Sequence, residues 1–215
     1  MSATPLLPIF VKLESHRCLV VGAGTVALQK ITSLIECGAK ITVVAPEAIS
    51  EIERLATAGQ LALHRRAYRR EDLDHISLVI AATSDPAVNH AVYTDATELN
   101  VLVNAVDDPP CCDFYFSSVV RRGPLQIAIS TTGESPAFAQ QIRQQLQAAL
   151  PEDTGNWLSR LGRFRRTVIE DQPAGPLRND LLKKLAAREV CESESCPSRQ
   201  LARTPKAKAE SWWLT

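Results

Sequence analysis

The sequence has no net charge, no long hydrophobic run and few aromatic residues. Its 24 Lys and Arg residues balance 24 Asp and Glu residues, so overall charge favours neither nucleic acid nor a membrane as a partner. No run of about 18 apolar residues occurs, which predicts that no helix spans a membrane. The N-terminus lacks the pattern of a signal peptide, and the six cysteines show no regular spacing. We therefore expect a cytoplasmic protein without a disulfide framework.

The chain does contain enough apolar residues for a core, since 45% of its 215 residues are hydrophobic. In its first half, short apolar runs alternate with helical patterns, which is typical of an α/β doubly wound parallel sheet. The predicted strands are residues 18–21, 40–45, 61–65, 77–83 and 100–106. The predicted helices are residues 25–37, 47–59 and 86–99. Lys30 is the exception on the otherwise apolar face of the first helix.

The pattern changes after residue 107. Two β-like runs, residues 114–120 and 125–130, flank an Arg-Arg-Gly-Pro sequence that predicts a hairpin. Ser135 and Pro136 then predict the N-cap and first turn of a helix that ends near residue 150. Helical segments rich in Leu and Arg follow.

The stretch CLVVGAGTVAL joins the first strand to the first helix through a glycine turn. Gly22 permits the tight turn, Gly24 lets the backbone approach a pyrophosphate, and Ala27 lets helix and strand pack closely. The first helical residues, Thr25 and Val26, lie where free N–H groups bind phosphate. With its flanking strand and helix, the pattern favours a nucleotide cofactor over a purely structural turn.

Further candidate cofactor contacts end the neighbouring strands. Pro46 and Glu47 end the second strand, where an acidic residue is expected to bind the ribose; alternatively, Glu47 caps the next helix. No arginine lies in that turn to bind a 2′-phosphate, which favours NAD over NADP. Thr83 ends the fourth strand among small residues, which leave room for the cofactor or for close helix packing. Asn104 lies in the strand that ends at Asp107.

Four segments together resemble one known family. They are PIFVKLESHRCLVVGAGTVALQK, LVIAATSDPAVN, VNAVDDPPCCDFYFSSVVRRGPLQIAIST and TGESPAFAQQIRQQL. They are similar to the dehydrogenase/ferrochelatase module of siroheme synthase, the precorrin-2 dehydrogenase family, strongly over residues 5–150 and loosely over 151–190. The resemblance implies oxidation of precorrin-2 to sirohydrochlorin with NAD. In many members of the family, insertion of ferrous iron then gives siroheme.

The resemblance also implies an architecture. It predicts a Rossmann-like NAD-binding domain over residues 1–113, a small α+β dimerisation domain over 114–150 and a helical C-terminal domain over 151–190. From their content of Ser, Pro, Lys and Arg, residues 191–215 are expected to form a flexible tail. A hairpin and one helix bury too little surface to close a core alone, so we predict a homodimer. The apolar residues that need a partner are Phe114, Phe116, Val119, Leu125, Ile127 and Ile129.

Asp107 is the strongest candidate for a catalytic residue. It follows a central strand at its carboxyl end, where ligands of open α/β sheets bind. A carboxylate there can accept a proton as hydride leaves, or from a pyrrole nitrogen during metal insertion. The resemblance gives this position the family's key acid. From the residues alone, a turn cap with Asp108 beside it is the alternative.

The candidate substrate-binding residues lie further along the chain. Ser130 and Thr131 precede the Thr-Gly-Glu-Ser-Pro turn, and some members of the family have a phosphorylatable serine where this chain has Thr131. The alternative is that these hydroxyls bind the turn backbone. Arg121 is a candidate for binding the carboxylates of a tetrapyrrole, because a guanidinium binds carboxylates bidentately; a solvated surface arginine is the alternative.

Two other functions stay open at this point. One is a dehydrogenase of the same family without chelatase activity. The other is a non-catalytic nucleotide-sensing Rossmann module, which would not require the Asn-Ala-Val-Asp strand end or the hairpin. His, Cys and carboxylate residues do not cluster with metal-site spacing, so we predict no resident metal and treat ferrous iron only as a possible substrate.

Overall fold

A computed structural model describes residues 5–186, and the fold divides into two compact units, Met1–Phe116 and Ser117–Thr215. The expectation of a flexible tail over residues 191–215 lies outside the described residues. None of the described helices combines the length and the apolar character needed to cross a membrane.

The first unit is a parallel sheet of five strands flanked by helices. Its elements are β1 Arg17–Val21, α1 Thr25–Glu36, β2 Lys40–Val44, α2 Ser50–Thr57, β3 Ala62–His64, β4 Leu78–Ala81, α3 Pro86–Glu98 and β5 Leu102–Ala105. The strand order is β3-β2-β1-β4-β5, and every neighbouring pair is parallel. The order reverses at β1 and β4, so the ligand crevice of such a sheet lies at their carboxyl ends. The predicted α/β Rossmann-like class is confirmed.

The core of this unit lies on both faces of the sheet. Along β1, Cys18 and Val20 pack on the side covered by α1, whereas Leu19 and Val21 pack on the side covered by α3. All four side chains are almost completely buried. A continuous apolar run, rather than an alternating one, is the sequence pattern that two covered faces require.

Two predicted boundaries were wrong by several residues. The helix predicted over 47–59 begins at Ser50, because the preceding loop stays extended while the N–H of Ile49 donates to the carbonyl of Ala23 in the glycine turn. The β-like run predicted from residue 114 becomes a strand only at Ser118. Residues 114–116 instead belong to the first unit, where Phe114 packs against the core on the α1 side of the sheet.

The second unit is a hairpin followed by helices. Its elements are β6 Ser118–Arg122, β7 Leu125–Ile129, α4 Pro136–Ala149, α5 Thr154–Asp171 and α6 Pro176–Ala186. The predicted N-cap is confirmed, since the Ser135 hydroxyl accepts from the N–H of Phe138 at 3.2 Å. The hairpin turn contacts the start of α5 so closely that a Cβ on Gly155 would lie 2.8 Å from the carbonyl oxygen of Arg122.

Candidate functional site

The first glycine of the turn is required by the packing of the protein itself. Gly22 has φ +106°, a backbone conformation that other residues rarely adopt, and its N–H donates to the carbonyl of Val44 at 2.9 Å. A Cβ at this position would lie 2.3 Å from the carbonyl oxygen of Ala82. The turn after β1 therefore contacts the end of β4 directly, and only glycine leaves room for that contact.

The second glycine has no such explanation within the chain. Gly24 has φ −92°, and a Cβ added to it would meet no atom within 4 Å. It is the N-cap of α1, and neither a capping side chain nor an acidic residue lies in the first turn of that helix. The first backbone N–H groups of α1 thus have no partner within the helix, and the exposed Thr25 and Val26 lie beside them. This open, positively polarised helix end fits the pyrophosphate of a dinucleotide.

The end of β2 presents an exposed acidic residue. Pro46 and Glu47 are both exposed in the loop before α2, whose N-cap is Ile49. Glu47 therefore does not cap this helix, which was the alternative to ribose binding. It lies after the strand next to β1, where a ribose hydroxyl is bound in dinucleotide folds.

Two arginines near this edge of the sheet are already paired with carboxylates. They follow β3, the neighbour of β2. Arg65 donates to Glu53 at 2.5 Å, and Arg66 donates to both carboxylate oxygens of Asp72, at 2.5 and 2.8 Å. Because both guanidinium groups already pair with these carboxylates, neither is available to bind a 2′-phosphate.

The polar residues at the ends of β4 and β5 hold their own loops. The hydroxyl and N–H of Thr83 both contact the side-chain oxygen of Asn89, at 2.8 and 3.1 Å. Asn104 is buried, and its amide donates to the carbonyl of Phe114 at 2.8 Å and to the sulfur of Cys112 at 3.3 Å. Both residues lie at the cofactor edge of the sheet, but these side-chain N–H and hydroxyl groups stabilise the surrounding backbone.

Asp107 lies in the loop directly after β5, with an exposed side chain and φ +62°. Aspartate tolerates this left-handed conformation better than most residues, although the surrounding structure must hold it there. The N–H of Asp108 and the thiol of Cys112 both donate to the carbonyl of Ala105, at 3.2 and 3.1 Å. These bonds fix the residues on either side of Asp107, so its carboxylate is presented at the carboxyl end of β5.

Lys30 is a residue near Asp107 that sequence reasoning did not select. Its side chain is half-buried, and its ammonium lies 4.1 Å from the ring centroid of Phe116. Burial lowers the pKa of Lys30, while Asp107, and Cys112 when it is ionised, oppose that decrease. The available signal was its position as the polar exception on the apolar face of α1.

The two adjacent cysteines of this loop have no character of a metal site. Burial is the main cause that raises the pKa of both the Cys111 and the Cys112 thiol. Cys18, Cys37 and these two are free thiols. Within residues 5–186, no three His, Cys, Asp or Glu side chains are placed to hold a metal ion.

The candidate substrate residues lie in the second unit. The hydroxyl of Ser130 accepts from the N–H of Thr132, and that of Thr131 accepts from the N–H of Ser135, both at 3.2 Å. These bonds are those expected of hydroxyls that stabilise the turn before α4. Arg121 is exposed in β6. Substrate binding by these three residues stays a prediction.

The strand order and the glycine turn at the point where that order reverses define a dinucleotide-binding Rossmann domain. A family model described as putative NAD(P)-binding matches residues 9–118, and one described as sirohaem biosynthesis protein central matches residues 122–149. The chain belongs to this NAD(P)-binding family of siroheme biosynthesis proteins, and the resemblance noted in the sequence is confirmed.

Named relatives agree with this assignment. The chain is 43% identical over 162 residues to a siroheme synthase of Photorhabdus laumondii, covering 75% of this chain and 34% of that protein. It is 42% identical over 169 residues to a siroheme synthase of Methylococcus capsulatus, covering 76% and 35%. It thus spans about a third of the length of these curated relatives. Among solved structures, SirC, a precorrin-2 dehydrogenase, matches with TM-score 0.73 and 27% identity over 92% of this chain and 98% of that one.

Proposed function

We propose that this protein oxidises precorrin-2 to sirohydrochlorin with NAD, a step of siroheme biosynthesis. The observation that carries the proposal is the open space at Gly24, beside free helix N–H groups, on the same sheet edge as Asp107. The carboxyl ends of parallel β1 and β5 face the same way, with only β4 between them. The names of the relatives, siroheme synthase and precorrin-2 dehydrogenase, identify the reaction.

Each part of the site has a distinct role in this reaction. The backbone N–H groups of Thr25 and Val26 bind the pyrophosphate, which approaches the chain over Gly24. Bound NAD supplies the hydride acceptor. As a C–H bond of precorrin-2 gives up its hydride, the macrocycle must also lose a proton, and the carboxylate of Asp107 accepts it. The hydrogen bonds of Asn104 keep the loop of Asp107 in place.

The cofactor in this proposal is NAD rather than NADP. Glu47 is exposed after β2, where its carboxylate can accept from ribose hydroxyls and would repel a 2′-phosphate. Arg65 and Arg66, at the neighbouring strand end, are paired with Glu53 and Asp72. The local charges therefore support an unphosphorylated ribose.

Iron insertion into sirohydrochlorin is a second activity that the same carboxylate could serve. A metal displaces two protons from the macrocycle, and Asp107 is an exposed proton acceptor on the proposed binding edge. Ferrous iron is then a substrate, which does not require a resident metal site. A dehydrogenase without this activity is the alternative, and only the assay separates the two.

The second unit supplies the rest of the proposed assembly. We propose a homodimer in which the hairpin and α4 are completed by a partner. Since residues 114–116 belong to the first unit, the proposed dimerisation part covers 117–150 and the helical domain 151–190. The support is the small buried core of this unit, described below. Arg121, Ser130 and Thr131 would then bind substrate carboxylates. The free thiols of the described cysteines suit the reducing cytoplasm that we propose as its compartment.

The test uses the full chain, NAD and enzymatically made precorrin-2, with sirohydrochlorin followed by its absorbance. We expect product with NAD and a lower kcat/KM with NADP. Adding ferrous or cobaltous ion after the NAD is consumed then tests for metal insertion. Tight NAD binding without any turnover would overturn the enzyme proposal and favour the nucleotide-sensing module.

A further inference from the structure

Lys30 is a half-buried cation on α1 that the reaction proposed above does not use. Lysine is among the residues least often buried, because desolvating its ammonium is costly unless other groups compensate. Here the ammonium lies 4.1 Å from the centroid of the Phe116 ring, within the range of a cation–π interaction. The fold therefore keeps the ammonium of Lys30 against the ring of Phe116 and partly shielded from solvent.

The segment over Lys30 is the same one that carries Asp107. Val106 and Phe114 pack against the core that α1 covers, and Phe114 contacts Phe116 with ring centroids 5.7 Å apart. The segment that follows β5 thus runs back across α1. Lys30 meets it through the ring of Phe116, which is the last residue of the first unit.

The two groups that raise the pKa of Lys30 are both acidic. Asp107 and Cys112 both act on its ammonium, and each would be stabilised by a positive charge when ionised. Cys112 is further influenced by Asp108 and Asp113, which raise the pKa of its thiol, while Lys30 lowers it. Lys30, on α1, is the positively charged member of this group, whereas the other members lie in the loop after β5.

We propose that Lys30 is a positioning residue for Asp107. Its ammonium attracts the carboxylate of Asp107 while its contact with Phe116 holds the segment 106–116 against α1. Lys30 thus acts through Asp107 and not on the cofactor. The part that concerns turnover rests on the proposed function, whereas the placement of the charge does not.

A thiol reaction tests the placement without any substrate. Iodoacetamide labels the thiolate, and peptide mass spectrometry separates Cys112 from Cys111. In Lys30→Met, which keeps the length of the side chain, loss of the cation should slow labelling of Cys112 by at least about twofold. Lys30→Arg should restore the rate, and Lys40→Met, at an exposed lysine, should leave it unchanged. Unchanged or faster labelling in Lys30→Met would overturn the proposal.

Turnover tests the positioning role. We expect kcat of Lys30→Met for precorrin-2 to fall by about tenfold, within the cost of misplacing a catalytic group by about 1 Å. The KM for precorrin-2 and the Kd for NAD should stay within about twofold, and Lys30→Arg should recover most of the rate.

A double variant then separates an effect through Asp107 from a general structural loss. Adding Lys30→Met to Asp107→Asn should cause no further decrease, because the group that Lys30 positions is already inactive. Additive losses would overturn the proposal. If wild-type protein shows no turnover, the proposed function fails, while the labelling result still decides whether Lys30 acts on this loop.

Discussion

The two units of this chain bury their apolar residues to very different extents. In the first unit, the strands β1 and β4 lie almost wholly inside, and a buried core covers each face of the sheet. In the described part of the second unit, the buried apolar side chains are Val120, Ala139 and Leu185. Exposed apolar side chains occur in both units, for example Leu7 at 80% in the first and Leu177 at 74% in the second, so the difference lies in the size of the buried core.

This difference indicates what each unit requires to be stable. The first unit closes its own core, so its cofactor edge is held rigidly by residues of one chain. In its described part, the second unit buries few apolar side chains, which supports our proposal that a second chain completes it. Substitutions in the first unit should thus act by local geometry, whereas the stability of the second should depend on protein concentration.

The largest effect is expected from Gly22→Ala. The new Cβ would lie 2.3 Å from the carbonyl oxygen of Ala82, and the φ of +106° is strained for alanine. We expect a loss of about 3 kcal/mol or more in the free energy of unfolding, because backbone on both sides prevents relaxation. Urea unfolding followed by circular dichroism measures it.

Gly24→Ala is the matched control for this loss. Its Cβ meets nothing within 4 Å, and φ −92° suits alanine, so the cost should stay below about 1 kcal/mol, the scale of a changed N-cap. Equal losses for the two variants would show that the first unit is not as rigidly packed around Gly22 as its geometry indicates.

Gly24→Asp should separate binding from folding. Aspartate is a favourable N-cap, so the free energy of unfolding should hardly change. Its carboxylate would occupy the space proposed for the pyrophosphate, so NAD affinity should fall by about 100-fold or more, as expected for adjacent like charges. Calorimetric titration with NAD measures this. An NAD affinity equal to that of the wild type would show that Gly24 does not line the cofactor site. Iron insertion, which needs no NAD, should survive in part in this variant.

Asp107→Asn should produce the opposite pattern. Asparagine tolerates φ +62° as well as aspartate does, so the fold and the Kd for NAD should be retained. Oxidation of precorrin-2 should fall by a factor on the order of 10² or more, because the proton acceptor is lost. Metal insertion, if present, should fall as well. Wild-type rates in both assays would exclude a shared site at Asp107.

The elements of the first unit could be predicted from the sequence mainly because its central strands β1 and β4 are largely continuous apolar runs between turn residues. The helices predicted over 25–37 and 86–99 end within one residue of α1 and α3. A strand that is buried on both faces needs apolar residues at consecutive positions, and this pattern can be recognised in the sequence alone.

The segment after β5 could not be predicted in the same way. Its aromatic residues have the composition of a strand, but Phe114 and Phe116 are placed by contacts with α1, far away in the sequence. For the same reason the sequence did not indicate the role that we propose for Lys30, since only the fold brings this residue to the segment that carries Asp107. Position along the chain identified the carboxylate, but not the groups that surround it.

A smaller effect is expected from simple dilution. If a partner completes the second unit, the fraction of dissociated chains rises with about the square root of dilution, so a tenfold dilution should speed amide exchange in β6 and β7 by about threefold. Amides of β1 and β4 should not respond, because their core lies within one chain. Sedimentation at micromolar concentration should give a dimer. A stable monomer whose amides exchange at rates that do not change on dilution, in β6 and β7 as in β1 and β4, would contradict the proposed difference between the units.

The smallest effect concerns the Arg66–Asp72 pair, which links the loop after β3 to the short turn at Asp72. The hydrogen bond from Arg66 is the main cause that lowers the pKa of Asp72, and the N–H of Arg69 donates to the same carboxylate at 2.9 Å. A lowered pKa in the folded state means that the pair stabilises the fold above the ordinary aspartate range, and that this contribution is lost as pH falls through the folded value.

Asp72→Asn should therefore cost about 1 kcal/mol or less at pH 7, since Arg66 is partly exposed and solvent screens the pair. The difference from wild type should shrink as the pH falls below the ordinary aspartate range, because the pKa of Asp72 is lowered in the folded state. Amide exchange in β4 reports the first unit, whereas amide exchange in β6 and β7 reports the second. Asp74→Asn, at an exposed aspartate two residues away, is the control. A loss that appears in β6 and β7 at all pH values, but not in β4, would contradict the view that the first unit is stabilised by its own contacts.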